Sequence, residues 1–346
     1  MPAKTVSNSN ERSIIAHAPC RVDLAGGTLD IWPLYLFHPG ALTVNFAVSI
    51  LTRCKITPLK GGQVRLISLD TSRREEFANF AELCAAKRFV HPLAGYLARF
   101  FAPEGGFEIE TSSESPAGAG ISGSSALMVA TTAALAQFTG RKLELEKIRE
   151  IAQNVEAQLI RVPTGCQDYY PALYGGISAI HLEPDGIHHQ PIRLAAEELD
   201  RRFVLAYTGA PRQSGINNWE VFKAHINGNK RIFRNFERIA EIARAMHDAL
   251  ALADWKNVAH LLRDEWKLRK TNAPRITTPM IEKLVKAAFN NGAQAAKVCG
   301  AGGGGCVVFL TEPETRDRIA EAIRTQGGQV LAARVARYGL SVSGEE

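Results

Sequence analysis

Residues 115–126 decide the fold, and they read Ser-Pro-Ala-Gly-Ala-Gly-Ile-Ser-Gly-Ser-Ser-Ala. They follow an alternating strand pattern, Phe-Glu-Ile-Glu at 107–110, and open an apolar helix pattern over 126–137. Glycines let the backbone approach a ligand and point successive N–H groups into one concavity, and the N-terminus of a helix adds a positive dipole end. The stretch predicts a phosphate-binding loop. The structural alternative is a glycine-rich turn with a serine N-cap.

The sequence of this loop differs from two known kinds of nucleotide site. The loop lacks the Lys-Ser/Thr ending of a Walker A motif. Residues 118–123 satisfy GxGxxG, but a dinucleotide-binding fold needs the glycines directly at a strand end and a second strand that ends in an acid. Here polar residues 111–115 intervene, and Glu144, at about the right distance, opens a helical pattern instead. A dehydrogenase is therefore disfavoured.

Two further segments are rich in glycine. Residues 297–306 hold five glycines in six residues between two apolar strand patterns, an entropically costly loop that predicts close approach to a ligand or to another domain. Residues 18–30 carry Arg21, Asp23 and Asp30 around a strand that runs into a Gly-Gly turn. Because an aspartate in a turn often only caps it, the last segment alone carries little information.

Length and composition exclude several classes of protein. A chain of 346 residues, 46% of them apolar, favours two globular domains that share a cleft. The net charge of +6 comes from basic residues interspersed with acidic ones, so nucleic acid is not an expected partner. The apolar segment 126–138 is too short for a bilayer, which needs about 20 residues. The six cysteines form no CxxC pair and residues 1–12 lack an apolar signal core, so we expect a cytoplasmic protein without a membrane partner.

Periodicity predicts a chain that begins with strands and changes character near residue 200. A polar turn at 183–186 precedes this change. The main predicted strands are 42–54, 63–69, 203–207, 306–310 and 330–336. The main predicted helices are 126–137, 145–159, 231–253, 255–269, 279–290 and 314–325.

In this order, the three glycine segments resemble the motifs of the galactokinase, homoserine kinase, mevalonate kinase and phosphomevalonate kinase (GHMP) superfamily. The first motif corresponds to Pro19–Gly27, the phosphate loop to Pro116–Ala126 and the third motif to Lys297–Cys306. The resemblance implies an α+β fold of two domains. An N-terminal domain like the second domain of ribosomal protein S5 would cover 11–195, and a ferredoxin-like C-terminal domain would cover 196–346. The active site between them would transfer the γ-phosphate of ATP to a hydroxyl group.

The resemblance also implies roles for individual side chains. Gly123 replaces one serine of the family's serine run, so we align the Mg²⁺-binding serine with Ser124 and keep Ser125 as the alternative. Glu156 is the expected second ligand of Mg²⁺, a cation that takes oxygen ligands and shares its shell with substrate phosphates. The residues expected to bind the ATP phosphates are Pro116, Gly118, Ala119, Gly120, Ser122, Gly123, Ser124 and Ser125.

The remaining implied chemistry concerns the acceptor. Asp168 is the expected base or charge partner of the acceptor hydroxyl, and Arg21 is the expected cation beside it, which keeps Asp168 ionised and stabilises the developing alkoxide. Among GHMP kinases the chain is most similar to the heptose 7-phosphate kinases, so the expected acceptor is a sugar or sugar phosphate, a heptose 7-phosphate or a hexose. The expected acceptor-binding residues are Asp30, Gly27, Gln167, Arg212, Gly302 and Gly303.

Several questions stay open at this point. Arg212 is a candidate contact for a phosphate on the acceptor, and a surface arginine is an equal alternative. An isoprenoid-pathway or homoserine-type kinase could share this scaffold, as could a non-catalytic relative that binds sugar or nucleotide as a regulator. The presence of Ser124, Glu156 and Asp168 argues against lost catalysis. The oligomeric state is not predicted.

Overall fold

The computed structural model describes residues 12–212, 216–272 and 275–345, which form two β-sheets flanked by helices. Element labels follow chain order. The first sheet contains the strands β1 (Ser13–Ala25), β2 (Leu42–Leu59), β3 (Val64–Ser68), β4 (Arg73–Phe77), β5 (Gly106–Ser113), β6 (Ile177–Glu183), β7 (Gly186–Pro191) and β12 (Ser341–Glu345). The second sheet contains β8 (Phe203–Tyr207), β9 (Ala295–Val298), β10 (Cys306–Leu310) and β11 (Gln329–Val330).

The helices cover both sheets. Two short 3₁₀ helices, Leu34–Phe37 and Pro313–Thr315, join the longer elements. The α-helices of the described chain are α1 (Phe80–Ala85), α2 (Pro92–Phe101), α3 (Gly123–Phe138), α4 (Leu145–Ile160), α5 (Tyr169–Tyr174), α6 (Ala196–Asp200), α7 (Ile216–Ile226), α8 (Lys230–Ala251), α9 (Trp255–Asn272), α10 (Pro279–Asn290) and α11 (Arg316–Thr325).

The first sheet runs in the order β12-β1-β2-β5-β3-β4, and β6 pairs with both β2 and β7. Neighbouring strands are antiparallel except β3 and β5, which are parallel. The pairing of β1 with β2 shifts register between Pro19 and Cys20 and again between Asp23 and Ala25. Such irregularities re-aim side chains. They bracket the part of β1 that carries Arg21 and Asp23.

Helix α3 is buried against the first sheet, as its apolar sequence predicts. It contacts β1, β2 and α4, and most of its side chains are buried, including Met128, Val129 and Leu135. A helix covered on several sides needs no polar face, which explains the uncharged run of its sequence. Since its N-terminus follows directly on the 115–122 loop, this rigid helix anchors the loop on which the site is built.

The end of the chain differs from the predicted pattern. The predicted strand 330–336 is wrong beyond Val330, because the chain leaves the second sheet and crosses to the first. Ser49 N donates to Arg334 O at 2.8 Å, Ala336 N donates to Ala47 O at 2.9 Å, and β12 then pairs with β1. The last strand therefore lies in the sheet formed mainly by residues before 195. The domain division at 195/196 stays a prediction.

Candidate active site

The three glycine segments meet around one cleft of about 770 Å³. Backbone hydrogen bonds tie them together. Arg21 N donates to Ile121 O at 2.9 Å, and Cys306 N donates to Ala119 O at 2.6 Å. Gly300 N donates to Asp23 Oδ1 at 2.9 Å. These hydrogen bonds join three segments that are far apart in sequence into one side of the cleft: strand β1, the 115–122 loop and the 299–305 loop.

The 115–122 loop has the geometry that its glycines predict. Gly118 and Gly120 have φ values of 67° and 78°, in the left-handed region that favours glycine. A Cβ on Gly120 would also lie 2.7 Å from Cys299 O, so no side chain fits there. Ser122 stands at the N-cap of α3 but makes no capping hydrogen bond with its side chain. The alternative of a plain serine-capped turn therefore loses its main support.

Ser122 also has an unusual environment. It has a φ of 63°, and its Oγ is buried without a hydrogen-bond partner among the described residues. The whole expected phosphate-binding set, which includes Ser122, lines the cleft: Pro116, Gly118, Ala119, Gly120, Ser122, Gly123, Ser124 and Ser125.

Glu156 of α4 accepts hydrogen bonds from three hydroxyl groups. Ser124 Oγ donates to Oε1 at 2.8 Å, Ser125 Oγ donates to Oε2 at 2.8 Å, and Tyr169 OH donates to Oε2 at 2.5 Å. Burial raises the pKa of Glu156 above its ordinary value, and the three hydrogen bonds oppose this rise. Ser124 is exposed to the cleft, whereas Ser125 is buried. Tyr169 is a member of this cluster that sequence reasoning missed.

Asp168 and Arg21 form a close pair in the same cleft. Asp168 Oδ1 accepts from Arg21 Nε at 2.9 Å and from Arg21 Nη2 at 2.6 Å. Arg21 is 2% exposed, and its Nη1 donates to Gly120 O at 2.9 Å, so the 115–122 loop fixes its guanidinium. The carboxylate remains about one-fifth exposed (22% of its side chain) and is accessible from the cleft.

A buried ion network behind this pair was not predicted. Lys297 of β9 is fully buried and donates to Asp23 Oδ2 and, at 3.0 Å, to Asp23 O. On its own, burial would raise the pKa of Asp23, but the charges of Lys297 and Arg21 outweigh it and hold that pKa well below its usual range. The sequence feature that could have indicated a buried lysine is the single charge in the otherwise apolar strand Ala295–Val298.

The same network reaches helix α9. Arg269 Nε donates to Glu265 Oε1 at 2.7 Å, and both side chains are nearly or fully buried. Arg269 borders the cleft. No motif marked this arginine, because a cation on an amphipathic helix ordinarily faces solvent.

Asp30 and Gln167 form the floor of the cleft. Gln167 N donates to Asp30 Oδ2 at 2.9 Å, and Gln167 Nε2 donates to Asp30 Oδ1 at 3.3 Å. Burial raises the pKa of Asp30 to about 6, against the hydrogen bond from Gln167 N. Gly27 adjoins this pair, since a Cβ on it would come within 2.9 Å of Gln167 Nε2 and 2.3 Å of Arg269 Nη2. The structure thus brings three predicted acceptor residues together: Asp30, Gln167 and Gly27.

The other predicted acceptor residues have different positions. Arg212 lines the cleft beside the 115–122 loop, where a Cβ on Gly300 would lie 2.5 Å from its Nη1. Burial lowers the pKa of Arg212, and the nearby Arg21 adds to this effect. Gly302 and Gly303 do not line the cleft in the described structure; they pack on Ile276, whose O accepts from Gly303 N at 2.8 Å.

Two regions of the cleft wall were missed from sequence. In the third motif, Gly300 and Ala301 line the cleft in place of the two glycines that follow. The far end of the cleft is formed by the turn between β3 and β4 and by the start of α2, at residues 68–73 and 90–93. These residues carry no motif; the pairing of β3 with β5 and the packing of α2 on α3 bring them to the 115–122 loop.

Two family models match the chain. The model for the GHMP kinases N terminal domain matches residues 84–176, and the model for GHMP kinases C terminal matches residues 232–329. Together they span more than half of the 346 residues. The chain belongs to the GHMP kinases. Members of this family are phosphotransferases, and the motif segments that suggested the resemblance are those that converge on the cleft.

Relatives and solved structures of this family match the chain over nearly its whole length. D-glycero-alpha-D-manno-heptose 7-phosphate kinase of Campylobacter jejuni is 27% identical over 329 residues, covering 92% of this chain and 95% of that protein. The mevalonate kinase of Thermococcus sibiricus is 24% identical, covering 95% and 98%. A D-glycero-D-manno-heptose 1-phosphate kinase from Bacteroides thetaiotaomicron has a TM-score of 0.77 at 21% identity, covering 96% and 99%.

A galactokinase from Lactococcus lactis, complexed with galactose, has a TM-score of 0.76 at 17% identity, covering 97% of this chain and 96% of that one.

The predicted α+β, two-domain GHMP kinase fold is confirmed. Within residues 12–212, 216–272 and 275–345, no helix is long and apolar enough to span a bilayer.

Proposed function

We propose that this GHMP kinase transfers the γ-phosphate of ATP to a hydroxyl group of a sugar or sugar phosphate. The observation that carries the proposal is the Arg21–Asp168 pair, which stands in the same cleft as the Ser124–Glu156 pair, with the phosphate loop between them. Phosphoryl transfer depends on in-line positioning and on neutralising the charge of the phosphates. One pair would serve the acceptor hydroxyl and the other the metal that accompanies ATP.

Asp168 would act on the acceptor. Its exposed carboxylate can accept the proton of a hydroxyl group or orient that hydroxyl toward the γ-phosphate. Arg21, held by Gly120 O and Asp168 Oδ1, would offer a fixed positive charge to the oxygen on which negative charge develops. Both roles need no movement of β1, because the phosphate loop already anchors the guanidinium.

Ser124 and Glu156 would hold Mg²⁺. Their oxygens suit this cation, which binds one or two protein oxygens and shares its shell with phosphates. Glu156 forms no ion pair within the described residues, so a cation would supply the countercharge that the three hydroxyls do not. Bound there, Mg²⁺ would neutralise charge on the β- and γ-phosphates.

The far end of the cleft, at residues 68–73 and 90–93, would receive the nucleoside.

The acceptor proposed here is a heptose 7-phosphate or a hexose. The similarity to heptose phosphate kinases supports it, as does the polar floor of Asp30 and Gln167, which suits hydroxyl groups. A mevalonate-type acceptor is the alternative, since mevalonate kinases are also similar to the chain. A non-catalytic regulator is disfavoured, because Arg21, Asp168 and Glu156 form the contacts that catalysis would need.

The proposal also covers the domain division and the cellular compartment. We place the domain division at 195/196, so that the cleft would lie between the domains. The described cysteines are unpaired thiols, which supports work in a reducing compartment such as the cytoplasm.

A coupled ADP-release assay tests the proposed function. The panel contains heptose 7-phosphate, heptose 1-phosphate, free heptose, galactose, fucose and mevalonate, each with Mg²⁺ and ATP. We expect the phosphorylated heptoses to give the highest kcat/KM. ADP release that is highest with mevalonate would favour the alternative, and no release above the acceptor-free rate with any compound would contradict the kinase proposal.

Arg212 provides a sharper test of the phosphate on the acceptor. If its guanidinium binds that phosphate, Arg212→Ala should raise KM for heptose 7-phosphate roughly ten- to a hundredfold and leave KM for ATP nearly unchanged. Free heptose is the matched control, because it lacks the phosphate. A loss of kcat with both acceptors would instead assign Arg212 to the transferred phosphate, beside Gly120 and Gly300.

A further inference from the structure

Arg269 of α9 is a charged residue of the cleft that the proposed reaction does not use. It is 4% exposed, and its Nη1 lies 3.5 Å from Gly300 O while its Nε donates to Glu265. Its Nη2 has no hydrogen-bond partner among residues 12–212, 216–272 and 275–345. Buried donors in native proteins are nearly always paired, so this atom needs an explanation.

A second unpaired atom belongs to Gln167. Its Oε1 is buried and has no partner in the described structure, while its Nε2 donates to Asp30. A Cβ built on Gly27 would lie 2.3 Å from Arg269 Nη2 and 2.9 Å from Gln167 Nε2, so both side chains converge above this glycine. One unused donor and one unused acceptor thus belong to two neighbouring side chains. A hydroxyl group can both donate and accept, so it complements them.

The surrounding charges argue against an anion at this point. The positive charge of Arg269 is already paired with Glu265, which is fully buried. Asp30 lies on one side, and Asp23 Oδ2 would be 3.3 Å from a Cβ on Gly27. The cations nearby are already paired, Lys297 with Asp23 and Arg269 with Glu265, so a phosphate or carboxylate here would gain no free positive charge and would be repelled by Asp30. An uncharged hydroxyl group avoids this repulsion.

We propose that Arg269 is a specificity-determining residue that donates from Nη2 to one hydroxyl group of the acceptor, which in turn donates to Gln167 Oε1. The acceptor would then be a polyhydroxylated sugar whose uncharged part faces α9. The inference rests on the proposed kinase function and assigns one position within its acceptor site. Arg269 and Gln167 both line the main cleft, where an acceptor can reach them.

The test couples one hydroxyl group of the substrate to one side chain. The acceptor with the highest kcat/KM in the panel above and its monodeoxy analogues are assayed with the wild-type protein and with Arg269→Lys. Lysine keeps a positive charge beside Glu265 but has no planar second donor. We expect one analogue to lose roughly ten- to a hundredfold in kcat/KM with the wild type and to lose little further with Arg269→Lys. KM for ATP should not change.

Two further variants keep the result interpretable. Arg263→Lys on the same helix is the matched control, because Arg263 is bonded to Gln294 O at 2.7 Å, away from the cleft; it should retain the full discrimination. If Arg269→Lys does not fold, the uncharged pair Glu265→Gln with Arg269→Gln replaces it and should likewise lose the discrimination.

The outcomes separate the inference from the proposed function. Wild-type turnover without a sensitive analogue, or an equal loss for all analogues with Arg269→Lys, would overturn the inference and leave the kinase proposal intact; a trapped water on Nη2 would explain either result. A penalty that follows removal of the acceptor's phosphate and no hydroxyl would also overturn it. No turnover of any acceptor by the wild type would contradict the kinase function, and the inference would fall with it.

Discussion

Asp168 and Glu156 are two carboxylates of one cleft, and the protein holds them in opposite ways. Asp168 accepts two hydrogen bonds from the guanidinium of Arg21, so its negative charge has a built-in counterion. Glu156 accepts hydrogen bonds from three hydroxyl groups and forms no ion pair within the described residues. Hydroxyl groups orient a carboxylate but do not neutralise it.

The difference indicates which carboxylate is complete without a ligand. The Asp168 pair needs nothing further to hold its geometry, which suits a group that must meet an uncharged acceptor hydroxyl. Burial raises the pKa of Glu156, as expected for a site that lacks one positive charge. The comparison therefore predicts that substitutions at Asp168 affect turnover, whereas substitutions around Glu156 affect the response to Mg²⁺.

The largest effect is expected from Asp168→Asn. Asparagine keeps the shape of the side chain but removes the charge and the ability to take a proton. Because a positioned base contributes about 10²–10⁴-fold, kcat should fall by roughly that factor. Steady-state kinetics measure the loss, while calorimetric binding of ATP should be nearly unchanged.

The control for Asp168→Asn is thermal unfolding, since Arg21 loses part of its pairing in this variant. A kcat close to that of the wild type would remove Asp168 from the mechanism. A loss of ATP binding equal to the loss of kcat would mean that the pair acts through the phosphate loop, which Arg21 contacts at Gly120 O.

The next effect concerns Glu156 and its two serines. Ser124→Ala removes a proposed ligand oxygen and Glu156→Gln removes the negative charge of the other proposed ligand, so each should raise the Mg²⁺ concentration for half-maximal rate by more than about tenfold. Ser125→Ala removes only a hydrogen bond to the other oxygen of Glu156; loss of such an outer partner costs roughly ten- to a hundredfold, and we expect the lower end of that range here. Titrations of initial rate with Mg²⁺ measure this order. The reverse order for the two serines would shift the alignment by one residue.

The sequence predicted the parts of this site that depend on local chain geometry. Left-handed glycines and a helix N-terminus leave a pattern in consecutive residues, so the loop at 115–126 and the convergence of three glycine segments were foreseeable. Asp30 and Gly27 belong to one of these segments, whereas Gln167 lies outside all three and was predicted from the family resemblance; the structure brings it to Asp30. The family resemblance added roles that no pattern by itself could assign.

What the sequence did not predict depends on partners distant along the chain. Lys297 and Asp23 are 274 positions apart, and nothing near either residue indicates the other. The burial of Arg269 in the cleft was not predicted either, since an arginine on an amphipathic helix is ordinarily exposed. The predicted strand at 330–336 is a segment that crosses between the sheets, and its alternation reflects contacts with both in succession, first at Leu205 O and then at Ala47 O.

Asp30 represents a third case, intermediate between the two carboxylates. It is bonded by an amide, and its pKa is raised to about 6 by burial. As the pH falls below about 6, Asp30 takes up a proton and can no longer accept from a sugar hydroxyl with its full charge. We expect kcat/KM for the acceptor to fall by up to about tenfold per pH unit there, since kcat/KM reports groups of the free enzyme.

Asp30→Asn is the matched variant for this pH effect, because asparagine does not titrate. Its kcat/KM for the acceptor should be low and should not change with pH near 6. KM for ATP should have the same pH dependence as in the wild type. A wild-type profile without a step between pH 5 and 7 would exclude Asp30 as an ionised acceptor contact.

The smallest effect is on stability, and it tests the missing charge at Glu156 without any assay of activity. The pKa of Glu156 is raised in the folded protein, so the folded state binds more protons than the unfolded state just above the ordinary value of 4.5. The stability that this group contributes is therefore fully present below pH 4.5 and is lost as the pH rises through the folded-state pKa. Relative to Glu156→Gln, which does not titrate, the wild type should lose free energy of unfolding over that range.

Mg²⁺ should reverse this loss, because a ligand that binds only the folded state stabilises it by about 2.7 kcal/mol at a hundred times its Kd. Thermal unfolding at pH 7.5 with and without MgCl₂ and a non-hydrolysable ATP analogue should give an increase in Tm of a few degrees for the wild type and a smaller one for Glu156→Gln. Asp168→Asn is the matched control, since its counterion is Arg21 and the increase should persist. An equal increase in wild type and Glu156→Gln would mean that Mg²⁺ is held by the phosphates alone, and the contrast between the two carboxylates would then lie in turnover only.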